Sequence, residues 1–202
     1  MTTPQADRGR DVIDILTTDH REVEALFVEL ESRQGTPEHR RRLADVVIAE
    51  LVRHSVAEEA YVYPAARKAL PDGDQIADHE IAEHAEAERT MKELESVDSA
   101  DPRFDQLLAH LTSAIRHHVQ EEEADLFPRL RAAVAQEELV DLAEKVEAVK
   151  RIAPTRPHPA TPDHPPANKL LAPGAGLVDR IRDALSGRPT SLAELRQKQP
   201  HR

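Results

Sequence analysis

The chain has 202 residues, 32% of them charged and only 2% aromatic, with a formal net charge of -11. That composition favours helices, gives a β-sheet little to build on, and makes polyanions such as nucleic acids poor partners. There is no cysteine, which excludes disulfides, thiolate metal sites and thiol catalysis; the first ten residues lack a signal peptide's apolar core and no apolar run is long enough to span a membrane, so a cytoplasmic location without a membrane partner is expected.

In chain order, a first helix is expected from about Asp11 to Ser32, because Ile13, Leu16, His20, Val23, Phe27 and Leu30 recur at spacings of three and four. Gly35 ends it. Thr36 caps a second helix with Pro37 at its first position, running to about Leu70 with a kink at Pro64. Pro71, Asp72 and Gly73 make a turn, and a third helix covers about Gln75 to Val97. Asp101 and Pro102 start a fourth, which continues to about Val134, and Gln136 to Ile152 reads as a fifth. Prolines crowd residues Pro154 to Pro173, which suits a linker without regular structure. A short amphipathic helix follows over Leu177 to Leu185, with Ile181 and Leu185 on its apolar side, and the last dozen residues look frayed.

A shift of 64 residues carries Asp19-His20 onto Glu83-His84, and the run His54 to Pro64 onto His118 to Pro128. Two helix pairs therefore repeat, and neither can bury its apolar face alone. The expected fold is all-α: a four-helix bundle with a pseudo-twofold axis, extended by the fifth helix to residue 152, then a Pro-rich tail with a short C-terminal helix over 153–202.

Each of the four helices carries an inward histidine: His20 between Leu16 and Val23, His84 between Ala77 and Met91, and His54 and His118 in the second and fourth helices. Glu58 and Glu122 follow the latter two by four residues, which places each on the same helix face one turn on. A lone histidine–glutamate pair is usually a surface pair, and a lone inward histidine is usually just hydrogen-bonded. Six such groups in register with a repeat are different, because burying them without a counter-ion costs several kcal/mol per charge. A pair of metal ions removes that cost. Imidazole with carboxylate and no thiolate suits iron, manganese or zinc. Ferritin-like sites use a Glu-x-x-His pair, which is missing here.

The Asp-His at His20, His54-x-x-x-Glu58 with Tyr63-Pro64, the Glu-His at His84, and His118-x-x-x-Glu122 with Phe127-Pro128 together resemble the hemerythrin-like, or HHE cation-binding, family over about residues 11 to 133. The resemblance implies an up-down-up-down bundle. It also implies two non-haem iron ions bridged by carboxylates and an oxo or hydroxo group, with O2, H2O2 or NO as the small-molecule partners. Oxygen-carrying members place two histidines four apart on the third helix, whereas Glu80 stands four before His84 here. Glu80 is a candidate additional ligand. Tyr61, three after Glu58, is another; it either ligates or hydrogen-bonds at the site, or is a buried tyrosine with a neutral partner. Tyr63 reads as packing, and His79, His110, His117, His158, His164 and His201 read as solvated. Two functions compete: catalase-like or related O2/NO redox chemistry at the iron pair, and non-enzymatic oxygen or iron sensing.

Overall fold

In the computed structural model, residues 9–159 and 167–197 are described. Helix α1 spans Val12–Glu31 and α2 spans Pro37–Ala57. A five-residue π-helical turn, Glu58–Val62, leads into α3, Tyr63–Ala69. The second half repeats this plan with α4, Gly73–Ser96, then α5, Pro102–Glu121, a π turn at Glu122–Leu126, and α6, Phe127–Ala133. Helices α7, Gln136–Lys150, α8, Ala167–Ser186, and α9, Leu192–Gln197, complete the described chain. No strand occurs among the described residues.

The helix starts follow local chemistry. Asp11 and Asp14 form a reciprocal capping box at α1, and the Thr36 and Asp101 side chains accept from the backbone N–H groups of His39 and Arg103, just past Pro37 and Pro102. Gly35 has φ 89° and permits the reversal between α1 and α2, where Arg33 also adopts a positive φ of 56°. Gly73 is required by proximity: a Cβ there would sit 2.1 Å from the Ala66 carbonyl oxygen.

The kink expected at Pro64 takes the form of a π turn, and a second one precedes Pro128, where no kink was expected. Each proline lacks an N–H and crowds the carbonyl four residues back. The helix answers by widening one turn, so that the amide of Tyr63 bonds to the Glu58 carbonyl and that of Phe127 to the Glu122 carbonyl. The widening inserts one residue between the glutamate and the aromatic ring.

The core consists of two apolar clusters separated by a polar layer. One contains Val23, Phe27, Leu30, Leu43, Ile48, Met91, Leu94, Phe104 and Leu111; the other contains Val12, Leu16, Val62, Ala77, Leu126, Phe127, Leu130 and α7's Leu139 and Val146. Helix α7 packs chiefly on α1 and α2.

The tail differs from its sequence-based picture. Residues 160–166 of the expected linker lie outside the described residues, but the backbone is helical from Ala167, ahead of Pro173. Good helix formers extend the element back toward its N-terminus. Helix α8 is inside out: Asp179 and Asp183 are buried, whereas Leu177, Val178, Ile181 and Leu185 are exposed. The buried carboxylates accept from the amides of Thr155 and Arg156, from the Thr155 hydroxyl and from the Arg156 guanidinium. Arg188 reaches Asp183 and the Asp45 carbonyl, and Leu195 of α9 is buried against the first cluster. A segment expected to fray is therefore strapped to α2. His158 pairs with Asp179 at 2.9 Å instead of being solvated, while His164 and His201 lie outside the described residues.

Candidate metal centre

All six predicted residues meet in the polar layer, and all are buried. His20 Nε2 lies 3.2 Å from His54 Nε2, and His84 Nε2 lies 3.1 Å from His118 Nε2. In each pair at most one of the facing nitrogens carries a proton, so each pair presents at least one lone pair to the interior.

The two glutamates lie between the pairs. Glu58 Oε1 is 3.1 Å from His54 Nε2 and its Oε2 is 3.5 Å from His84 Nε2. Glu122 Oε2 is 3.4 Å from His20 Nε2 and 3.7 Å from His118 Nε2. Both oxygens of Glu58 and Oε2 of Glu122 are buried without a hydrogen-bond partner. Such orphaned oxygens are costly in a dry layer unless a cation sits against them. Metal-sized clusters occur at His20, His54, Glu58 and Glu122, and at Glu58, His84 and His118. The donor set of imidazole and carboxylate fits iron, manganese or zinc.

Four carboxylates anchor the outer nitrogens of the imidazoles. Nδ1 of His20 donates to Glu123 (2.8 Å), of His54 to Asp19 (3.2 Å), of His84 to Glu59 (3.0 Å), and of His118 to Glu83 (3.1 Å). This fixes the rings with Nε2 inward and strengthens them as donors to a metal. The anchors obey the repeat, since 64 residues separate Asp19 from Glu83 and Glu59 from Glu123. Sequence reading missed them, although the acids beside His20 and His84, and the doubled glutamates after His54 and His118, were the signal.

The electrostatics follow from this ring of carboxylates. Burial pulls the His54 imidazole down, but the Glu58 charge and the Asp19 contact outweigh it and push it up to about 10. His118 is raised well above its usual range by Glu122, Glu80 and Glu83 against the same burial cost. Glu58, despite burial, is held well below the usual carboxylate range by His54 and His84. The layer favours positive charge at its centre.

Glu80 is buried, with its Oε2 2.8 Å from His118 Nδ1. That nitrogen donates to Glu83, and Glu80 Oε2 has no hydrogen-bond partner of its own. Burial raises the Glu80 carboxyl. Tyr61 is only half-buried and packs at the edge of the second apolar cluster. The phenol at the polar layer is that of Tyr63, which is fully buried; its hydroxyl donates to Glu122 Oε1 at 3.2 Å and lies 3.2 Å from His84 Nε2. Regular α periodicity puts residue 61 over residue 58, but the π turn adds a residue and brings residue 63 there. Burial and the charges of Glu122 and Glu58 keep the Tyr63 hydroxyl protonated far above its usual range. Its repeat mate Phe127 stacks on His20 with centroids 5.7 Å apart.

One side of the layer opens into a cavity of about 310 Å³ walled by Val23, Phe27, Leu51, Ile115 and Val119, with His20, His54, His84 and His118 at its base. Arg116, paired with Glu24 and Glu31, stands at its rim.

A family model described as the hemerythrin HHE cation-binding domain matches residues 11–130. An uncharacterized hemerythrin-like protein from Schizosaccharomyces pombe is 28% identical over 179 residues, covering 88% of each chain. A DNA nickase from a Nostoc species is 26% identical over 140 residues, which is 69% of this chain and 39% of that protein. The crystal structure of a hemerythrin HHE cation-binding domain-containing protein from Mycobacterium kansasii shares the fold, with a TM-score of 0.61 at 22% identity over 70% of this chain and 85% of that one. The family match spans more than half of the sequence, and the chain belongs to the hemerythrin HHE cation-binding family.

Proposed function

We propose that the polar layer binds two iron ions and that the protein carries out redox chemistry on peroxide, or on O2 or NO, in the cytoplasm. The observation that carries this reading is Glu58: its two orphaned oxygens face different histidine pairs. In this arrangement His20 and His54 would hold one ion, His84 and His118 the other, and Glu58 and Glu122 both. An iron pair bound there supplies one- and two-electron exchange with a small oxidant.

The chain's own residues do the rest. Asp19, Glu59, Glu83 and Glu123 hold the rings in place, so the site needs little reorganisation. The apolar cavity admits a small uncharged molecule and keeps bulk water away from the histidines. Tyr63 holds a proton at its hydroxyl, 3.2 Å from Glu122 Oε1, where a proton leaving or entering the layer can be passed. Peroxide disproportionation suits such a closed layer because it needs no outside reductant. One H2O2 loses two electrons and two protons to become O2, and a second takes them up to become two waters. Nucleic acid has no part in this reading, given the net charge of -11.

The test is iron content together with oxygen evolution from H2O2 by the purified protein. Two irons per chain with catalytic oxygen release supports the proposal; one zinc and no iron after expression in iron-replete medium overturns it. Two irons without turnover would favour the second reading, oxygen or iron sensing. The observation behind that reading is the tail strapped to the bundle by Arg188 on Asp45, by the His158 amide on Glu88 and by buried Leu195, a contact able to respond to changes in the helices beneath.

A further inference from the structure

We infer that His79, Glu83, His117 and Glu121 form a second cation site on the outer face of α4 and α5, which takes a divalent transition-metal ion of the zinc or ferrous type. His79 and Glu83 are four residues apart on α4; His117 and Glu121 are four apart on α5, so two histidine–glutamate pairs face each other across adjacent helices. Their atoms alternate around a ring. His79 Nε2 is 3.2 Å from Glu121 Oε2 and 3.7 Å from Glu83 Oε1; His117 Nε2 is 3.6 Å from Glu121 Oε2 and 4.0 Å from Glu83 Oε1. A tetrahedral ion with bonds of about 2.0–2.2 Å separates its ligand atoms by roughly 3.3–3.6 Å; His79, Glu83 and Glu121 already offer atoms within 4.8 Å of one another, and the exposed His117 side chain would turn in as the fourth ligand. Two imidazoles with two carboxylates select a zinc-type ion over calcium or magnesium, which prefer oxygen alone. His79 and Glu121 also line an open cleft of about 480 Å³, so the site is accessible from solvent.

The other half of the molecule supplies an independent reason. The repeat mates of these residues are Ile15, Asp19, Arg53 and Ala57. There α7 covers the groove, and Lys150 places its ammonium 2.6 Å from both oxygens of Asp19. Asp19 thus anchors His54 on one side and holds a cation on the other. Its mate Glu83 anchors His118 through Oε2 and turns Oε1 toward His79 and His117, and among the described residues no lysine pairs with it. The position filled by an ammonium in one half is filled in the other by a ring of metal-ligating side chains. An ion bound there would be joined to the buried layer through a single carboxylate, Glu83.

The experiment compares the full-length, iron-containing protein with the His79→Ala/His117→Ala double variant. Both substitutions are on exposed side chains and leave the buried layer untouched. Cobalt(II) is titrated while its visible absorption is followed, and iron is assayed in parallel. The parent should take up one more cobalt equivalent than the variant, with a band that saturates at that equivalence and is absent from the variant, while iron content and helicity stay equal. Equal cobalt uptake by both proteins, or no saturable uptake by the parent, overturns the site. The outcome is read separately from the iron proposal: if the buried layer holds no iron, the difference of one equivalent still reports on the outer ring alone.

Discussion

The two halves of the bundle are alike at the polar layer and unlike around it. Histidines, the two glutamates between them and the anchoring carboxylates all follow the 64-residue shift, and both halves widen by a π turn before a proline. Outside that layer the halves diverge. The first half has Tyr63, a covering α7 and Lys150 on Asp19; the second has Phe127, an open groove, and the ring of His79 and His117 around Glu83. The symmetric part is what two equivalent ions would require. The asymmetric part puts a phenol in one half only and gives the two halves different solvent access and counter-charge, so a difference in reactivity between the two positions must come from there.

The harshest test of the symmetric part is to remove a shared carboxylate. Glu58→Ala and Glu122→Ala should each cost both ions, not one, because a glutamate between the histidine pairs belongs to neither alone. Metal analysis should find well under one iron per chain in either variant. A variant that retains one full equivalent would mean that the carboxylate serves a single position.

Tyr63 and Phe127 offer a finer test, of the asymmetry. Tyr63→Phe keeps the ring and removes only the hydroxyl that donates to buried Glu122, so stability should fall by about 1–3 kcal/mol while both irons stay. Peroxide turnover should fall by about tenfold or more if the hydroxyl supplies a proton. Phe127→Tyr puts a phenol beside His20 in the other half. If turnover in Tyr63→Phe equals that of the parent, the hydroxyl is only a hydrogen bond within the core.

Much of this was legible in the sequence because the repeat and the helical period reinforce each other. Six polar residues at inward positions, in register, define the layer without any structure, and the cap-plus-proline pairs at Thr36 and Asp101 mark two of the helix starts. What was not legible depends on breaks in the period. A π turn is invisible to a 3.6-residue count, so Tyr61 and Tyr63 exchange places: the former lies at an apolar edge and the latter at the carboxylates. The anchors were hidden differently. Asp19, Glu59, Glu83 and Glu123 sit next to inward residues in sequence, where regular geometry reads them as solvated. The tail was misjudged because Asp179 and Asp183 of α8 point inward to arginines and amides that lie far away in sequence, leaving Ile181 and Leu185 outside. Amphipathicity shows that a helix has two faces, not which one is buried.

The tail bridges the two halves, packing on α2 through Leu195 and Arg188 and on α4 through Glu88 and Glu95. None of its described contacts enters the polar layer. Truncation after Ile152 should therefore leave iron content unchanged while lowering Tm by roughly 5–10 °C, since it uncovers the site of one buried leucine and removes buried hydrogen bonds worth a few kcal/mol. Loss of iron on truncation would show instead that the strap closes the metal layer.

The smallest expected effect is a pH dependence of that strap. The hydrogen bond that His158 donates to Asp179 is the main cause that raises its imidazole; partial burial pulls it down, the Asp179 and Glu88 charges add to the rise, and Lys92 opposes it. Asp179, in turn, is held below the usual carboxylate range by His158 and by the amides of Thr155 and Arg156, against the cost of burial. A histidine raised in the folded state contributes stability that is complete below its unfolded value, about 6.5, and is lost as pH rises through its folded value. The aspartate behaves oppositely: its contribution holds above its unfolded value and is lost only in acid, well outside this window. The strap should therefore open more often as pH rises from about 6.5 through the raised His158 value. Hydrogen exchange of the α8 amides, corrected for the intrinsic pH dependence of exchange, should show protection falling over that range. His158→Gln should be flat across it, because glutamine can donate to Asp179 without titrating. Protection in the parent that does not change with pH would show that the backbone amides and Arg156 hold Asp179 by themselves, and that the strap is insensitive to the charge of His158.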